Sequence, residues 1–366
     1  MKILHIIYDD VKNPWVGGGG SIRAYEINRL LAEKHSITVI TGKFPGSENE
    51  VKEGVTYKRI GIGHNYLFSR LFFTLLAPFY ILKSNFDILI NDFSIFSPVF
   101  GYWLTKKPAV NTFYHLIGGQ SLKKFRFFGI IPMMFEKLFL MTADNIITIS
   151  PTVTNDITKK HKYRFIECIY TGFDESLLAV EPKKGKYISF IGRLDVYMKG
   201  IDVLIESMGK ISDKAVKLKI AGTGPQKNID KILELIEKFN LKSNIDLEGR
   251  ISDEEKKTFL SECYFLVMPS RFEGWGISAV EAAACGKAVI GTKISGLSDA
   301  VVDGKTGILV DPDDPETLAK AIDKLLLDNI LREEMGSSGK EWAGNFRWKK
   351  IAEKQENFYR RIVDNK

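Results

Sequence analysis

The segment that most constrains the fold is residues 269–292, which read PSRFEGWGISAVEAAACGKAVIGT. It follows a short apolar run, 264–268, that predicts a buried strand. Its alanine-rich part predicts a helix from Ile277 to Cys285, starting near Gly276. The backbone N–H groups in the first turn of such a helix lack partners and can hold a phosphate. The segment therefore predicts a strand, a loop and a helix with an anion site at the helix start.

Two carboxylates accompany this anion site, Glu273 in the loop and Glu281 more than one turn inside the helix. We expect each of them to accept hydrogen bonds from hydroxyl groups, one on a ribose and one on a sugar. The alternative is a pair of solvated glutamates. Because the glutamates, the glycines and the strand–loop–helix pattern coincide, the combination favours a nucleotide-sugar site.

The pair Glu273 and Glu281, with seven residues between them, resembles the signature of the retaining glycosyltransferases of family 4, which have the GT-B architecture. Residues 187–206 are similar to the start of that family's donor domain, with Arg193 after a strand and Lys199 at a helix start. The resemblance implies that both cations stabilise the leaving nucleoside diphosphate as it gains charge, so that no metal is required. An exposed Arg and Lys at a helix entry is the alternative.

Three further segments match the family in order, namely 219–225, 247–252 and 303–311. The resemblance places the first along the donor, the second beside the nucleobase and the third at the last strand of the domain. Each is weak alone, because glycines after a strand occur in many α/β folds. Residues 222–225 fit neither the dinucleotide fingerprint nor the P-loop, which argues against a dehydrogenase or an NTPase.

The amino-terminal half begins with a strand-like run, four glycines at 17–20 and a helix-like stretch from Ser21. Glycines let a backbone approach a ligand closely, and the helix start again favours an anion. His115 ends a strand-like run where the family has a histidine that orients the transferred sugar. Leu116 replaces the acidic residue that often follows, and Thr171 replaces an asparagine in the turn 171–174. A flexible loop and a structural histidine are the alternatives.

The predicted site therefore combines residues from both halves of the chain. The candidate catalytic residues are His115, Arg193, Lys199 and Glu273, and the candidate donor-binding residues are Gly18, Gly19, Gly222, Arg250, Ile251, Gly276, Ile277, Ser278 and Glu281.

The length of 366 residues exceeds one typical core and indicates two domains. Strand-like runs near 2–8, 36–41, 86–91, 108–113, 145–149 and 166–170 alternate with helical stretches, and a second series begins at Tyr187. This alternation predicts an α/β protein with two Rossmann-like, doubly wound domains that face a central cleft. We expect an acceptor-side domain at 1–180, a polar linker at 181–186 and a nucleotide-sugar domain at 187–347. The resemblance returns a helix at 348–366 to the first domain.

Positive charge is concentrated in the first half. The chain has 52 Lys and Arg against 45 Asp and Glu, a net charge of +7, and residues 1–174 contain 21 and 14 of these while the remainder contains 31 of each. This asymmetry fits an anionic acceptor, such as a lipid-linked or surface-glycan precursor, or an anionic membrane surface. Nucleic acid is an unlikely partner, because the sequence contains no recognised nucleic-acid-binding module.

Two aromatic and apolar segments with basic flanks, 66–82 and 123–139, bear on that partner. Neither predicts a transmembrane helix, because Arg70 and Pro78 interrupt the first and several charges interrupt the second. Two interpretations stay open. The segments lie at a membrane interface, or they are buried helices of a Rossmann-like domain.

The remaining composition is less specific. Cys168, Cys263 and Cys285 are expected to be buried free thiols, and the five histidines show no ligand spacing, so we expect metal-independent chemistry without a cofactor. The first apolar run ends at the charged residue Asp9, and so short a run is not typical of a signal peptide. We therefore expect a cytoplasmic protein, with the inner face of the cytoplasmic membrane as an alternative location.

The sequence thus predicts a retaining glycosyltransferase that uses a nucleoside-diphosphate sugar. Two alternatives remain: a nucleotide-sugar epimerase of the same fold, and a catalytically silent subunit that binds a nucleotide sugar or a membrane. The nucleobase, the sugar, the acceptor and the oligomeric state are not predicted.

Overall fold

The computed structural model describes residues 1–94, 96–98, 101–116 and 130–365. The chain forms two compact units, the first comprising Met1–Thr171 with Trp348–Lys366 and the second Gly172–Arg347. The predicted linker at 181–186 is not the boundary. Its backbone bonds to the second unit, through Lys183 N to Ser261 O and Lys186 N to Glu262 O, both 2.9 Å.

The strands of the first unit form one sheet in the order β3-β4-β2-β1-β5-β6-β7-β8, parallel except where β3 pairs with β4. They are β1 (Lys2–Ile6), β2 (Ser36–Gly42), β3 (Glu50–Lys52), β4 (Val55–Ile60), β5 (Ile88–Asp92), β6 (Ala109–Phe113), β7 (Asn145–Thr148) and β8 (Phe165–Cys168). The six strands predicted in this half are present. Our sequence analysis missed the hairpin of β3 and β4, which turns at Glu53 and Gly54, both with positive φ.

Helices cover both faces of this sheet. They are α1 (Gly19–Leu31), α2 (Tyr66–Lys83), α3 (Ile130–Thr142), α4 (Pro151–Thr158) and the C-terminal α12 (Trp348–Asp364). On one face, Ile27 of α1 and Tyr359 of α12 join the same buried cluster. On the other face, α2 packs in a cluster that includes Ala109, and α3 in one that includes Phe113. Because residues four apart on a strand point the same way, α2 and α3 cover one face.

The second unit has a parallel sheet in the order β11-β10-β9-β12-β13-β14. Its strands are β9 (Tyr187–Ile191), β10 (Leu218–Ala221), β11 (Ile245–Gly249), β12 (Cys263–Met268), β13 (Val289–Thr292) and β14 (Gly307–Val310). Its helices are α5 (Ile201–Lys210), α6 (Gln226–Lys238), α7 (Asp253–Ser261), α8 (Ile277–Ala284), α9 (Leu297–Ala300), α10 (Pro315–Leu327) and α11 (Asn329–Ala343). Both units are therefore Rossmann-like α/β domains, as predicted.

The strand order indicates where a ligand can bind in the second unit. In the second unit the chain moves from β9 outward to β10 and β11, and then returns to the other side of β9 as β12. In open parallel sheets, ligands bind beyond the carboxyl ends of the strands at such a reversal. The loops after β9 and β12 are therefore the first place to look for a site in this unit.

Candidate active site

The predicted donor-side residues of the second unit lie at the carboxyl edge of its sheet. Arg193 comes two residues after β9, Gly222 directly follows β10, Arg250 directly follows β11, and Glu273 lies in the loop after β12. Because these four strands are adjacent and parallel, their ends meet at one edge. The sheet thus brings together residues that are separated by 80 positions in the sequence.

Lys199 and Glu273 form the central ion pair of this edge. The Lys199 Nζ lies 2.5 Å from the Glu273 Oε2, and the two side chains are 17% and 16% exposed. Gly200 allows this approach. It has φ of 64°, and a Cβ there would lie 1.9 Å from the carbonyl oxygen of Pro269. Only glycine lets the start of α5 lie against the strand end that precedes Glu273.

The loops around this ion pair are joined through their backbones. The Arg271 N–H donates to the Met198 carbonyl at 3.0 Å, which ties the loop after β12 to the segment before α5. The Arg271 guanidinium also donates to both carboxylate oxygens of Asp202, at 2.8 and 2.9 Å. This bidentate contact was not predicted, because it depends on tertiary packing rather than on a local motif.

Arg193 is exposed. Its side chain forms no ion pair or hydrogen bond with any residue that the structure describes. The backbone beside it is fixed, since the Gly192 N–H donates to Ala221 O at 3.0 Å and the Leu194 N–H to Thr223 O at 2.8 Å. Arg193 is therefore a cation on a fixed strand end that can bind an anion.

The helix start at which an anion site is predicted is present as the beginning of α8. Gly276 has φ of 82° and immediately precedes the helix, without a side-chain cap. The next backbone donors to be used within the helix are those of Ala279 and Val280, which bond to Gly276 O. The N–H groups of Ile277 and Ser278 thus remain available, and the helix dipole favours an anion there.

Glu281 lies on the same helix and is buried, with 7% exposure. Its Oε1 accepts from the Lys256 Nζ at 2.9 Å. Burial raises the pKa of Glu281, and the charge of Lys256 opposes this effect. Burial alone would lower the pKa of Lys256, but the pairs with Glu281 and Asp253 outweigh it and raise that pKa. The second oxygen, Oε2, accepts no hydrogen bond from a described residue and is not enclosed, so it can accept from a ligand hydroxyl.

Lys256 is a site residue that our sequence analysis missed. It lies on α7, whose start is fixed by a capping box between Ser252 and Glu255. The capping-box pattern predicts this helix start, but not the ion pair of Lys256 with a residue 25 positions away. Ile251, a predicted donor contact, lies just ahead of this helix and is half-buried.

In the first unit, the glycine run and His115 lie at the same edge of the sheet. Gly18 is the N-cap of α1, which begins at Gly19 rather than at the predicted Ser21. Gly20 packs on Tyr114, where an added Cβ would lie 3.3 Å from the ring. His115 follows Tyr114, two residues beyond β6, and is exposed. Tyr114 therefore connects the glycine run to the predicted catalytic histidine.

Tyr114 also contacts a buried carboxylate that the sequence analysis did not single out. Its hydroxyl donates to the Asp92 Oδ2 at 2.5 Å, and the His5 Nε2 lies 3.2 Å from the Asp92 Oδ1. Burial alone would raise the pKa of Asp92, but His5 and the Tyr114 hydroxyl outweigh it and lower that pKa. Asp92 is thus an ionised carboxylate that holds the loop of Tyr114 and His115.

Across the described ranges, no group of three or more His, Cys, Asp or Glu side chains is arranged to hold a metal ion.

Both halves of the chain match families of glycosyltransferases. Residues 17–177 match the family described as Glycosyltransferase Family 4, and residues 179–342 match Glycosyl transferases group 1. An uncharacterised glycosyltransferase of Methanocaldococcus jannaschii is 29% identical over the full length of both chains. The capsular polysaccharide biosynthesis glycosyltransferase CapM of Staphylococcus aureus is 29% identical over 66% of this chain and 67% of CapM.

Solved structures show the same fold. Sucrose-phosphate synthase of Thermosynechococcus elongatus superposes with a TM-score of 0.82, at 23% identity, with both chains fully covered. HepE of Anabaena, in a complex with UDP and glucose, superposes with a TM-score of 0.78 at 16% identity, covering 99% of this chain and all of HepE.

The close backbone contacts at this edge generate the first prediction. Gly222 has φ of 145°, and a Cβ there would lie 1.8 Å from Gly192 O, whereas Gly249 has φ of 69° with open space around it. We expect Gly249→Ala to cost roughly 1–2 kcal/mol for the backbone alone. Gly222→Ala adds roughly 1–3 kcal/mol from overlap with the carbonyl. Urea denaturation measures the free energy of unfolding of both variants. Equal losses of stability would contradict the close contact between position 222 and Gly192 O.

Proposed function

The chain belongs to the family 4 glycosyltransferases and has their GT-B fold, and from this we propose that it is a retaining enzyme using a nucleoside-diphosphate sugar. The observation that carries the proposal is the edge of the second sheet. There, Lys199 pairs with the carboxylate of Glu273, and Arg193 and the N–H groups at the start of α8 lie at the same edge. The sugar is transferred to a hydroxyl of a lipid-linked or surface-glycan acceptor.

In the proposed reaction, the leaving diphosphate gains negative charge as its bond to the sugar breaks. Arg193, Lys199 and the N–H groups of Ile277 and Ser278 are already in place to stabilise that charge. Such fixed donors act more strongly on the transition state than on the ground state. We therefore propose that these groups make the reaction independent of a metal.

The carboxylates select hydroxyl groups in this proposal. Glu281 holds the ribose through Oε2, while Oε1 stays paired with Lys256. Glu273 contacts hydroxyls of the transferred sugar and keeps the Lys199 ammonium fixed for the diphosphate. A carboxylate without such a cation would repel the donor, so the ion pair makes a carboxylate compatible with this position.

The acceptor is proposed to attack from the face that the diphosphate leaves. In this reaction, a phosphate oxygen of the leaving diphosphate removes the proton from the acceptor hydroxyl. The transferred sugar keeps its anomeric configuration. His115, supported through Tyr114 and Asp92, orients the sugar.

The donor site is tested by two variants. Arg193→Gln and Glu273→Gln are expected to lower the release of nucleoside diphosphate by about a hundredfold, since each removes one preorganised group from the site. The assay uses a donor panel that includes UDP-glucose, which occurs in a HepE complex. Lys242→Gln and Glu237→Gln, an exposed ion pair ahead of β11, are matched controls.

Wild-type rates in the two site variants would contradict the site assignment. If the wild-type protein binds the donor but releases no nucleoside diphosphate, the result would favour the silent subunit. Conversion of the donor sugar into its epimer would favour the epimerase.

Retention has its own test. Without an acceptor, slow hydrolysis of an α-linked donor identified by the panel is expected to release the α-anomer of its sugar first, because water then takes the place of the acceptor on the same face. Proton NMR follows the two anomers before they equilibrate. Initial release of the β-anomer would contradict retention.

The first unit supports a further part of the proposal, peripheral contact with a membrane at its cytoplasmic face. We define its apolar surface as the exposed large apolar residues of α2 and α3, which cover one sheet face. These are Tyr66, Leu67, Phe68, Leu71, Phe72, Leu75, Phe79, Leu82, Ile130, Ile131, Met134, Phe135 and Met141. The interpretation of both segments as buried core helices is therefore wrong for these residues. Residues 123–129 lie outside the described ranges.

Length and composition alone would allow α2 to cross a bilayer. However, Phe73, Ala77 and Ile81 pack against the sheet, so the helix is already fixed along one side. A helix held in this way contacts a bilayer from its surface, with its apolar residues entering the interface.

Charge around the apolar surface selects an anionic bilayer as the partner. Lys83, Lys106, Lys107 and Lys137 are exposed. Three acidic residues occur between positions 61 and 143, and none of them is exposed: Asp92 and Glu136 are buried, and Asp87 is half-buried. Exposed lysines beside apolar residues attract anionic headgroups while the apolar side chains enter the lipid.

The membrane proposal predicts loss of vesicle binding when α2 is made polar. Leu75 and Phe79 are 64% and 58% exposed, so Leu75→Ser with Phe79→Ser preserves the core. The double variant is expected to bind phosphatidylglycerol-containing vesicles at least about tenfold more weakly, because each side chain loses its burial in lipid. Leu327→Ser with Ile330→Ser, exposed in the second unit, is the control. Equal effects of the two double variants would contradict the assignment.

A further inference from the structure

Arg70 of α2 is held among aromatic rings. The centre of its guanidinium lies 4.2 Å from the ring centroid of Tyr66, 4.5 Å from that of Phe96 and 5.0 Å from that of Tyr8. Stacking of this kind fixes the plane of a guanidinium without neutralising its charge.

The rings are themselves fixed by neighbouring contacts. The Tyr8 hydroxyl donates to the Ser69 Oγ at 3.1 Å, and the Thr74 Oγ1 donates to Phe96 O at 2.8 Å. Ser69 and Thr74 flank Arg70 on α2, so the helix and its aromatic cage form one preorganised unit. Little side-chain freedom remains for Arg70 to lose when it binds a ligand.

Arg70 forms no salt bridge or hydrogen bond with a carboxylate among the described residues. The charge of Arg70 reaches Asp9 only through space: burial raises the pKa of Asp9, and Arg70 partly opposes this effect. The Arg70 Nε is enclosed and without a hydrogen bond, whereas its two Nη atoms, also without hydrogen bonds, are not enclosed. Arg59 and Arg271 also lie on aromatic rings, but each is paired with a carboxylate. Arg70 is therefore an arginine with an aromatic cage and an open donor edge.

The position of Arg70 indicates what kind of anion it meets. Tyr8 lies just beyond β1, at the same sheet edge as Asp92 and Tyr114. On α2, the neighbouring residues Leu67 and Leu71 belong to the apolar surface defined above. An anion bound to Arg70 thus has the sheet edge of Asp92 and Tyr114 on one side and the apolar surface on the other.

We propose that Arg70 binds the phosphate group of a lipid-linked acceptor, with the lipid chain on the apolar surface of α2. The inference rests on the proposed function and deepens it, because it assigns the acceptor to the class of lipid phosphates. Arginine presents parallel N–H donors that match two phosphate oxygens, and a charge-assisted contact of this type adds strongly to affinity.

Calorimetric titration with three probes tests this assignment. The probes are a soluble short-chain phosphatidic acid, the matching uncharged diacylglycerol, and inorganic phosphate. We expect the lipid phosphate to bind most tightly, because it alone provides both the anion and the apolar chain. Arg70→Gln is expected to weaken its binding about tenfold or more, the typical effect of losing hydrogen bonds to a charged group. Arg70→Lys, which keeps the charge, is expected to recover only part of this loss.

Lys83→Gln is the matched control, since it removes one positive charge from the other end of the same helix. An equal loss in Lys83→Gln would overturn the proposal in favour of general electrostatic attraction. Inorganic phosphate that binds as tightly as the lipid phosphate would overturn the lipid assignment. Glu273→Gln is expected to bind the lipid phosphate normally, and Arg70→Gln to keep the donor-induced rise in melting temperature. A failure of the Arg70 assignment is thereby separated from a failure of the proposed reaction.

Discussion

The contact between Gly200 and the carbonyl oxygen of Pro269 is the constraint on which the second unit's site depends. A side chain at position 200 could not be accommodated there, since even a Cβ would overlap that oxygen. The contact brings the start of α5 against the end of β12, and so places Lys199 beside Glu273. The position of Lys199 beside Glu273 thus follows from a close backbone contact that only glycine permits.

Sequence patterns predicted the parts of this arrangement that are local. The apolar runs predicted the strands and the alanine-rich segment predicted α8. The residues that the motifs single out, Arg193 and Glu273 among them, lie at one sheet edge. The patterns could not give the pairing of Lys256 with Glu281 or of Arg271 with Asp202. These ion pairs join residues 25 and 69 positions apart, and only the folded sheet determines that they meet. The unit boundary was misplaced for a similar reason, because the polar segment 181–186 packs against the second unit.

The first unit combines a polar sheet edge with an apolar sheet face. At the sheet edge, the buried Asp92 holds Tyr114, and His115 beside it is exposed. One sheet face is covered by α2 and α3, which expose apolar side chains and the lysines Lys83 and Lys137. Arg70 lies where the edge and the face meet. Part of the positive charge in this half of the sequence, at Lys83, Lys137 and Arg70, therefore lies on helices suited to an anionic, apolar partner.

The most direct test of the central claim is hydrogen–deuterium exchange with and without the nucleoside-diphosphate sugar that the donor panel identifies. Ligand contacts slow the exchange of backbone amides that they order or shield. The account predicts slower exchange at 191–200, 222–225, 249–251 and 271–281, the loops after β9, β10, β11 and β12. Saturating donor that leaves these loops unchanged, or that protects only other parts of the second unit, would contradict the account.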